Sequence, residues 1–212
     1  MSDDPPFLRD ADQTRKNILE VALKEFAEYG LAGARVDRIA RGTRTTKGMI
    51  YYHFGDKDGL YKAVLEKVYP SLRSDEEHLD VRNTDPIEAL ERIIDFTLDY
   101  HEKHEDFVRI VMIENINKGE HLRKTGIDST VSYRIMVVIA DILIRGMALG
   151  VFKREVTPVD LHIFYTSFCF YRVSNHHTVS SVLGINMLSA QSCARHRRMV
   201  KDAVIAYLAS AD

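Results

Sequence analysis

Apolar residues recur at intervals of three and four along nearly the whole chain, and no stretch alternates with period two between turn residues. That pattern leaves an all-α fold. A first helix is predicted over residues 12–29, with Ile18, Ala22 and Phe26 on one face beside Leu19 and Leu23, and Gly30 where a left-handed closing residue is wanted. Short helices are predicted at residues 36–41 and 46–52. A longer one follows, capped by Asp56 and running through Leu60, Val64 and Val68, which Pro70 bends or ends. Asp85-Pro86 pairs a capping acid with a first-turn proline and opens a helix carrying Leu90, Ile93, Ile94 and Leu98. Further helices are predicted over residues 107–116, over 131–149 up to Gly150, from Thr157-Pro158 through Tyr171, and over 190–208. Residues 174–189, with paired serines and Gly184, read as a loop.

With 212 residues, 45% of them hydrophobic, the chain can bury one good core or two modest ones. The division expected is a flexible N-terminus at 1–11, an N-terminal three-helix helix-turn-helix domain at 12–56, and a C-terminal helical domain at 57–212. No apolar run approaches the roughly 20 residues that span a bilayer, and the N-terminus is acidic and proline-containing rather than leader-like. A soluble, cytoplasmic protein without a membrane partner is expected. Cys169 and Cys193 have neither metal-ligand spacing nor the density of a disulfide framework, so both read as free thiols.

The net charge of −2 hides an uneven distribution. Arg35, Arg38, Arg41, Arg44 and Lys47 recur at every third residue with only Asp37 against them, while Asp75, Glu76, Glu77 and Asp80 concentrate acid elsewhere. The basic run coincides with the two short helices, whose separation is that of a helix-turn-helix. Val36, Ile39, Ala40, Met49 and Ile50 are placed to pack the pair together and against Phe26. Thr46, Lys47, Gly48, Tyr51 and Tyr52 then face outward, small enough at the first turn to enter a major groove. The alternative is that Tyr51, Tyr52, His53 and Phe54 form an aromatic core patch. Only Phe54 is read as core, because such a patch requires neither the Thr-Lys-Gly entry nor the basic run.

Ile39-Ala40, then Thr46-Lys47-Gly48-Met49-Ile50-Tyr51-Tyr52-His53-Phe54, then Asp56, Lys57 and Leu60 resemble, in unbroken register, the signature of the tetracycline-repressor (TetR) family. The resemblance covers about residues 16–68 and implies a double-stranded operator DNA as partner. Position by position it implies a recognition helix of Thr46, Lys47, Gly48, Tyr51 and Tyr52, with His53 and Lys57 as phosphate contacts. Arg44 stands where the family usually has the turn glycine, and Thr45 where an apolar residue follows it. A looser turn or another geometry is therefore expected, with both side chains counted among the DNA contacts. Arg35 replaces a frequent capping threonine, a loss of about 0.5–2 kcal/mol, and gains reach to a phosphate. The Gly33-Ala34-Arg35 variation resembles the RutR-type branch.

For the C-terminal half the resemblance implies a ligand cavity and a four-helix bundle with a second subunit. Two copies about one DNA turn apart would read a palindromic operator. Repression relieved by an unidentified small-molecule effector is the mode implied. Candidate ligand contacts are Phe107, Val111, Val137, Phe164, Phe168 and Tyr171, with Asn115, Tyr133 and Arg172 as polar groups; ordinary core packing is the competing reading for each.

No Gly-rich phosphate loop, nucleophile elbow or Ser/His/Asp arrangement points to an enzyme or a cofactor. His101-Glu102-Lys103-His104 is one residue short of the H-E-x-x-H zinc motif, which places its imidazoles about 300° apart on a helix. No metal site is therefore assigned. His176-His177 could take a metal with His196 or Cys193, against the plainer reading of a solvated loop pair. A thiol- or metal-responsive regulator using Cys193 or His176 and His177 is the alternative to a small-molecule sensor; Cys193 lies near Arg195, His196 and Arg197, which lower a thiol pKa.

Overall fold

The computed structural model describes the backbone of residues 6–77, 79, 81–127 and 129–211, and the side chains among them other than those of 6–11, 73–77 and 129–133. The described residues form ten α-helices and no strand: α1 (Pro6–Gly33), α2 (Val36–Thr43), α3 (Lys47–Phe54), α4 (Lys57–Glu77), α5 (Pro86–Lys103), α6 (Glu105–Ile116), α7 (Ser129–Ala148), α8 (Pro158–Ser174), α9 (His176–Leu183) and α10 (Ala190–Ala209), with a short 3₁₀ turn at Leu122–Lys124. The all-α expectation holds. None of these helices is long and apolar enough to cross a membrane.

The chain divides into two compact units, Met1–Pro70 with Arg109–Ile127, and Ser71–Val108 with Asp128–Asp212. The first unit is thus larger than the 12–56 domain expected. α1 begins at Pro6 and is broken at Gly30, whose φ of 65° is left-handed. Ile18, Ala22 and Phe26 are fully buried, as are Leu60, Tyr61, Val64 and Leu65 of α4. The Tyr61 ring meets Phe26 edge-on at 4.9 Å. Its hydroxyl donates to Glu114 Oε1 at 3.0 Å, and the same carboxylate is 3.0 Å from His121 Nδ1 and accepts from the Leu122 N–H at 3.0 Å. Gly126 N–H donates to Glu66 at 3.1 Å, and Arg109 pairs with Glu28. Residues 109–127 therefore belong with helices α1–α4: the buried Glu114 carboxylate joins Tyr61 of α4 to His121 and Leu122 of this segment.

The second unit is built on four helices. Leu90, Ile93, Ile94 and Leu98 of α5, Ile139 and Ile142 of α7, Leu161, Tyr165 and Cys169 of α8, and Val200, Val204 and Leu208 of α10 form one core. Each fully buried aliphatic side chain contributes about 1.5–3 kcal/mol. Helix starts follow the predicted chemistry. Asp85 accepts from the N–H of Ile87 at 2.9 Å and of Glu88 at 3.3 Å, and Thr157 accepts from that of Asp160 at 3.1 Å. Gly146 has no alternative, since a Cβ there would lie 1.9 Å from the buried Phe152 ring.

The expected loop at 174–189 contains α9, which Gly184 closes at φ 67°. This helix buries none of its side chains, leaving Val182 and Leu183 exposed. A helix with no buried face carries no apolar periodicity to read.

Candidate nucleic-acid interface

The helix-turn-helix lies wholly within the first unit. Val36, Ile39, Ala40 and Thr43 of α2 and Ile50 of α3 are buried. Met49, expected to pack between the helices, is instead 43% exposed. An eight-residue helix turns one narrow face inward, and Ile50 occupies it. Thr46 caps α3, its hydroxyl accepting from Met49 N–H at 3.2 Å.

The turn between the helices keeps the geometry a glycine would take. Arg44 has φ 55° and ψ 34°, in the left-handed region. Its N–H donates to Arg41 O at 3.3 Å and that of Thr45 to Ala40 O at 3.0 Å, the paired bonds of a Schellman close. The expectation of a looser turn is thus corrected: the hydrogen bonds are retained and the strain sits on Arg44. Left-handed backbone costs an L-residue with a Cβ roughly 1–2 kcal/mol, while glycine costs about 0.5–1 kcal/mol in chain entropy. Arg44→Gly is therefore expected to stabilise the protein by about 0.5–1 kcal/mol; a urea midpoint that stayed put or fell would show no strain at this turn.

No side chain caps the first-turn N–H groups of α2, but α1 holds the N-cap residue itself. Glu25 Oε1 accepts from the Arg35 backbone N–H at 2.8 Å and from Arg38 Nε at 2.7 Å. A capping box assigns that role to a carboxylate three residues into the helix, a position taken here by Arg38. Burial acts to raise the Glu25 carboxyl, but the Arg38 hydrogen bond, the Arg35 N–H and the two charges overcome it and hold it below the usual range. Arg38 also lies over the Tyr29 ring at 4.1 Å. Its charge is thereby drawn toward α1 and away from the basic run.

The other predicted contacts are held more loosely. Arg35, Arg44, Thr46, Lys47, Gly48, Tyr51 and Tyr52 are exposed, and Thr45 and His53 are half-buried. Tyr52 stands furthest out, at 82%. Lys47 pairs with Asp37 at 2.7 Å, a bond that raises its pKa. Lys57 Nζ reaches the carbonyls of Ala32 and Ala34 at 3.5 and 3.4 Å, so its free-state partners are backbone oxygens. Asp56 caps α4 through Gly59 N–H at 2.7 Å, and a Cβ on Gly59 would lie 2.1 Å from Phe54 O. Phe54 itself is half-buried rather than core, with Arg15 over its ring at 5.3 Å. A polar notch of about 240 Å³ beside the turn is lined by Gln13, Thr14, Asn17, Thr43, Arg44 and Thr45. Gln13, Thr14 and Asn17 went unnoticed in the sequence, although their spacing sets them on one polar face of α1.

Profiles of the tetR family of bacterial regulatory proteins and of the tetracyclin-repressor-like C-terminal domain match residues 18–64 and 86–204 respectively. The chain belongs to the TetR family. The HTH-type transcriptional repressor NicS of Pseudomonas putida is 34% identical over 192 residues, covering 91% of each chain. The repressor SCO4008 of Streptomyces coelicolor is 38% identical over 113 residues, 52% of this chain and 54% of the relative. A tetR-family regulatory protein from Rhodococcus RHA1 superposes with a TM-score of 0.70 at 18% identity, covering 94% of this chain and 98% of that one. SCO4942 from Streptomyces coelicolor does so at 0.65 and 22% identity, with 92% and 97% covered. At those identities the structures establish the fold. The helix-turn-helix of this TetR-family chain is that of a transcriptional regulator and not part of an enzyme.

The candidate ligand contacts are divided between the two units. Val111 and Asn115 fall in the first unit, and the Asn115 amide donates to its own helix at Val111 O, 2.9 Å away. Phe107, Val137, Phe164, Phe168, Tyr171 and Arg172 fall in the second. Of these Phe107 is buried, Phe168 is half-buried, and Val137, Phe164 and Tyr171 are exposed. Tyr133 lies outside the residues whose side chains are described. Arg172 is locked, donating to Glu102 at 2.6 Å, to His196 Nδ1 at 3.1 Å and to Cys193 Sγ at 3.1 Å. A cleft of about 500 Å³ in the second unit is lined by Leu79, Val81, Arg82, Arg134 and Ile135, with Val137 the one predicted residue on its wall. Cys169 is buried, which pushes its thiol up to about 12.

Proposed function

We propose that this protein is a cytoplasmic repressor that grips a palindromic operator as a homodimer and is released by a small-molecule effector. The observation that carries the DNA reading is the contrast within α3: Ile50 is fully buried, whereas Lys47, Gly48, Tyr51 and Tyr52 of the same capped helix are exposed. A helix so held enters a major groove as a rigid body. Thr46, Lys47, Gly48, Tyr51 and Tyr52 address base edges, while Arg35, Arg44, Thr45, His53 and Lys57 address phosphates. The pairings of Lys47 with Asp37 and of Lys57 with carbonyls position both ammonium groups without consuming all three of their donors. NicS and SCO4008, both named repressors, support the sign of regulation. The RutR-like placement rests on Gly33-Ala34-Arg35 alone.

The dimer reading rests on a patch shared by α8 and α10. Ile163, Phe164, Met199 and Tyr207 are exposed, and the rings of Phe164 and Tyr207 meet edge-on at 5.6 Å. Such a surface suits a second copy of the same two helices. For the effector, the cleft walled by Arg82 and Arg134 over apolar side chains favours a small organic anion. It would act only by binding more tightly to a conformer in which α4 is displaced and the two recognition helices leave groove spacing.

Selection of a duplex fragment from random sequence, followed by fluorescence anisotropy, tests the central claim. Tyr52→Ala is expected to weaken binding about tenfold with the melting temperature unchanged, and Lys57→Gln to lower the salt slope by about 0.9. A dimer that attaches to no duplex in a salt-dependent way would end this reading.

A further inference from the structure

We propose that Glu105, His176 and His177 form a binding site for one divalent transition-metal ion of the zinc class. α6 opens on Glu105 and α9 on the two histidines, so two helix starts within one compact unit bring a carboxylate and two imidazoles to one point. His176 Nε2 lies 3.4 Å from Glu105 Oε1 and His177 Nε2 lies 3.8 Å from it. One ligand atom from each of the three residues falls within 4.8 Å of the other two. A tetrahedral ion bound at about 2.0–2.1 Å separates its ligand atoms by about 3.3 Å. Side-chain adjustments of a few tenths of an ångström bring both contacts to that value.

The same distances are poor for hydrogen bonding. The first contact is long and the second lies beyond bonding range. The two imidazole rings lie side by side, their centroids 3.8 Å apart and their planes tilted by 39°. A metal ion fits these separations, because it takes imidazole nitrogens and a carboxylate oxygen together as ligands. Two nitrogens and one carboxylate oxygen select zinc, cobalt, nickel or copper over magnesium and calcium, which take oxygen ligands. The His176 side chain is 16% exposed, Glu105 43% and His177 69%, so one side is walled and the other open to a water as fourth ligand.

This set differs from the one the sequence suggested. Both expected third ligands, His196 and Cys193, are acceptors for Arg172, while Glu105, 71 residues from His176, completes the group instead. The site stands or falls independently of DNA binding.

The test is a titration of the full-length, tag-free, EDTA-treated protein with Co²⁺, followed by visible d–d absorption, with Zn²⁺ as competitor. One equivalent per chain with a dissociation constant of about 10 µM or tighter is expected, with displacement by Zn²⁺. Glu105→Gln, His176→Gln and His177→Gln should each weaken binding about tenfold or more, while His104→Gln, outside the group, should not. His177 is exposed, so its variant keeps the fold, as circular dichroism would verify. Binding weaker than that threshold, or binding that survives the His176→Gln/His177→Gln double substitution, would overturn the proposal.

Discussion

Glu102→Ala is expected to destabilise the protein by about 3–5 kcal/mol, read as a fall in urea midpoint. Its partner Arg172 has a side chain only 2% exposed, and the Glu102 carboxylate lies 2.6 Å from the Arg172 Nη1. The other acceptors are His196 Nδ1, Cys193 Sγ and the Met187 carbonyl at 3.5 Å, none of them a carboxylate. Burial and then the Arg172 charge lower the His196 pKa, which keeps that imidazole a neutral acceptor. A guanidinium cannot shed its proton to escape burial, so loss of the carboxylate leaves an uncompensated cation. Glu102 is itself 25% exposed, and water admitted there places the cost toward the lower end of the range. Because the penalty belongs to the stranded charge and not to the lost bond, adding Arg172→Met to Glu102→Ala should recover most of it. A single-variant cost below about 1 kcal/mol, or no recovery in the double variant, would show that water already reaches Arg172.

Acidification should cost wild-type protein about 3 kcal/mol more than it costs His101→Leu. His101 is 3% exposed, and its Nδ1 has no hydrogen-bond partner. Burial lowers its pKa to about 4, helped by the nearby His162 and opposed by a hydrogen bond with the Cys169 backbone. The unfolded histidine titrates near 6.5. Above that pH both states are neutral and the stability is complete. Between pH 6.5 and about 4 the unfolded chain binds a proton that the folded one refuses. Stability then falls with decreasing pH by up to about 1.4 kcal/mol per unit. Unfolding free energies at pH 7, 6, 5 and 4 for both proteins isolate this contribution as a difference in slope. Parallel curves would mean that His101 takes up its proton in the folded state as readily as in the unfolded one.

Much of the first unit was legible because its signals are local. The apolar positions of α2, the Thr46 cap and the exposed Lys47 to Tyr52 face all lie within one short stretch. Asp85 and Thr157 announced their helices because a cap acts on residues two or three positions away. Errors arose where a distant partner decided the outcome. Arg38 read as part of the basic run until Glu25 of the preceding helix claimed it. Glu114 meets Tyr61 across 53 residues of chain, a contact that no local window of residues contains.

Sequence alone determined the helical class, the helix-turn-helix and its outward face, since each follows from periodicity and capping between near neighbours. Tertiary structure decided which charges remain available, where the 500 Å³ cleft opens, and that Glu105 meets His176 and His177. Those outcomes depend on how helices far apart in the chain pack, and packing is set by the fit of many side chains at once, which no short window of residues contains.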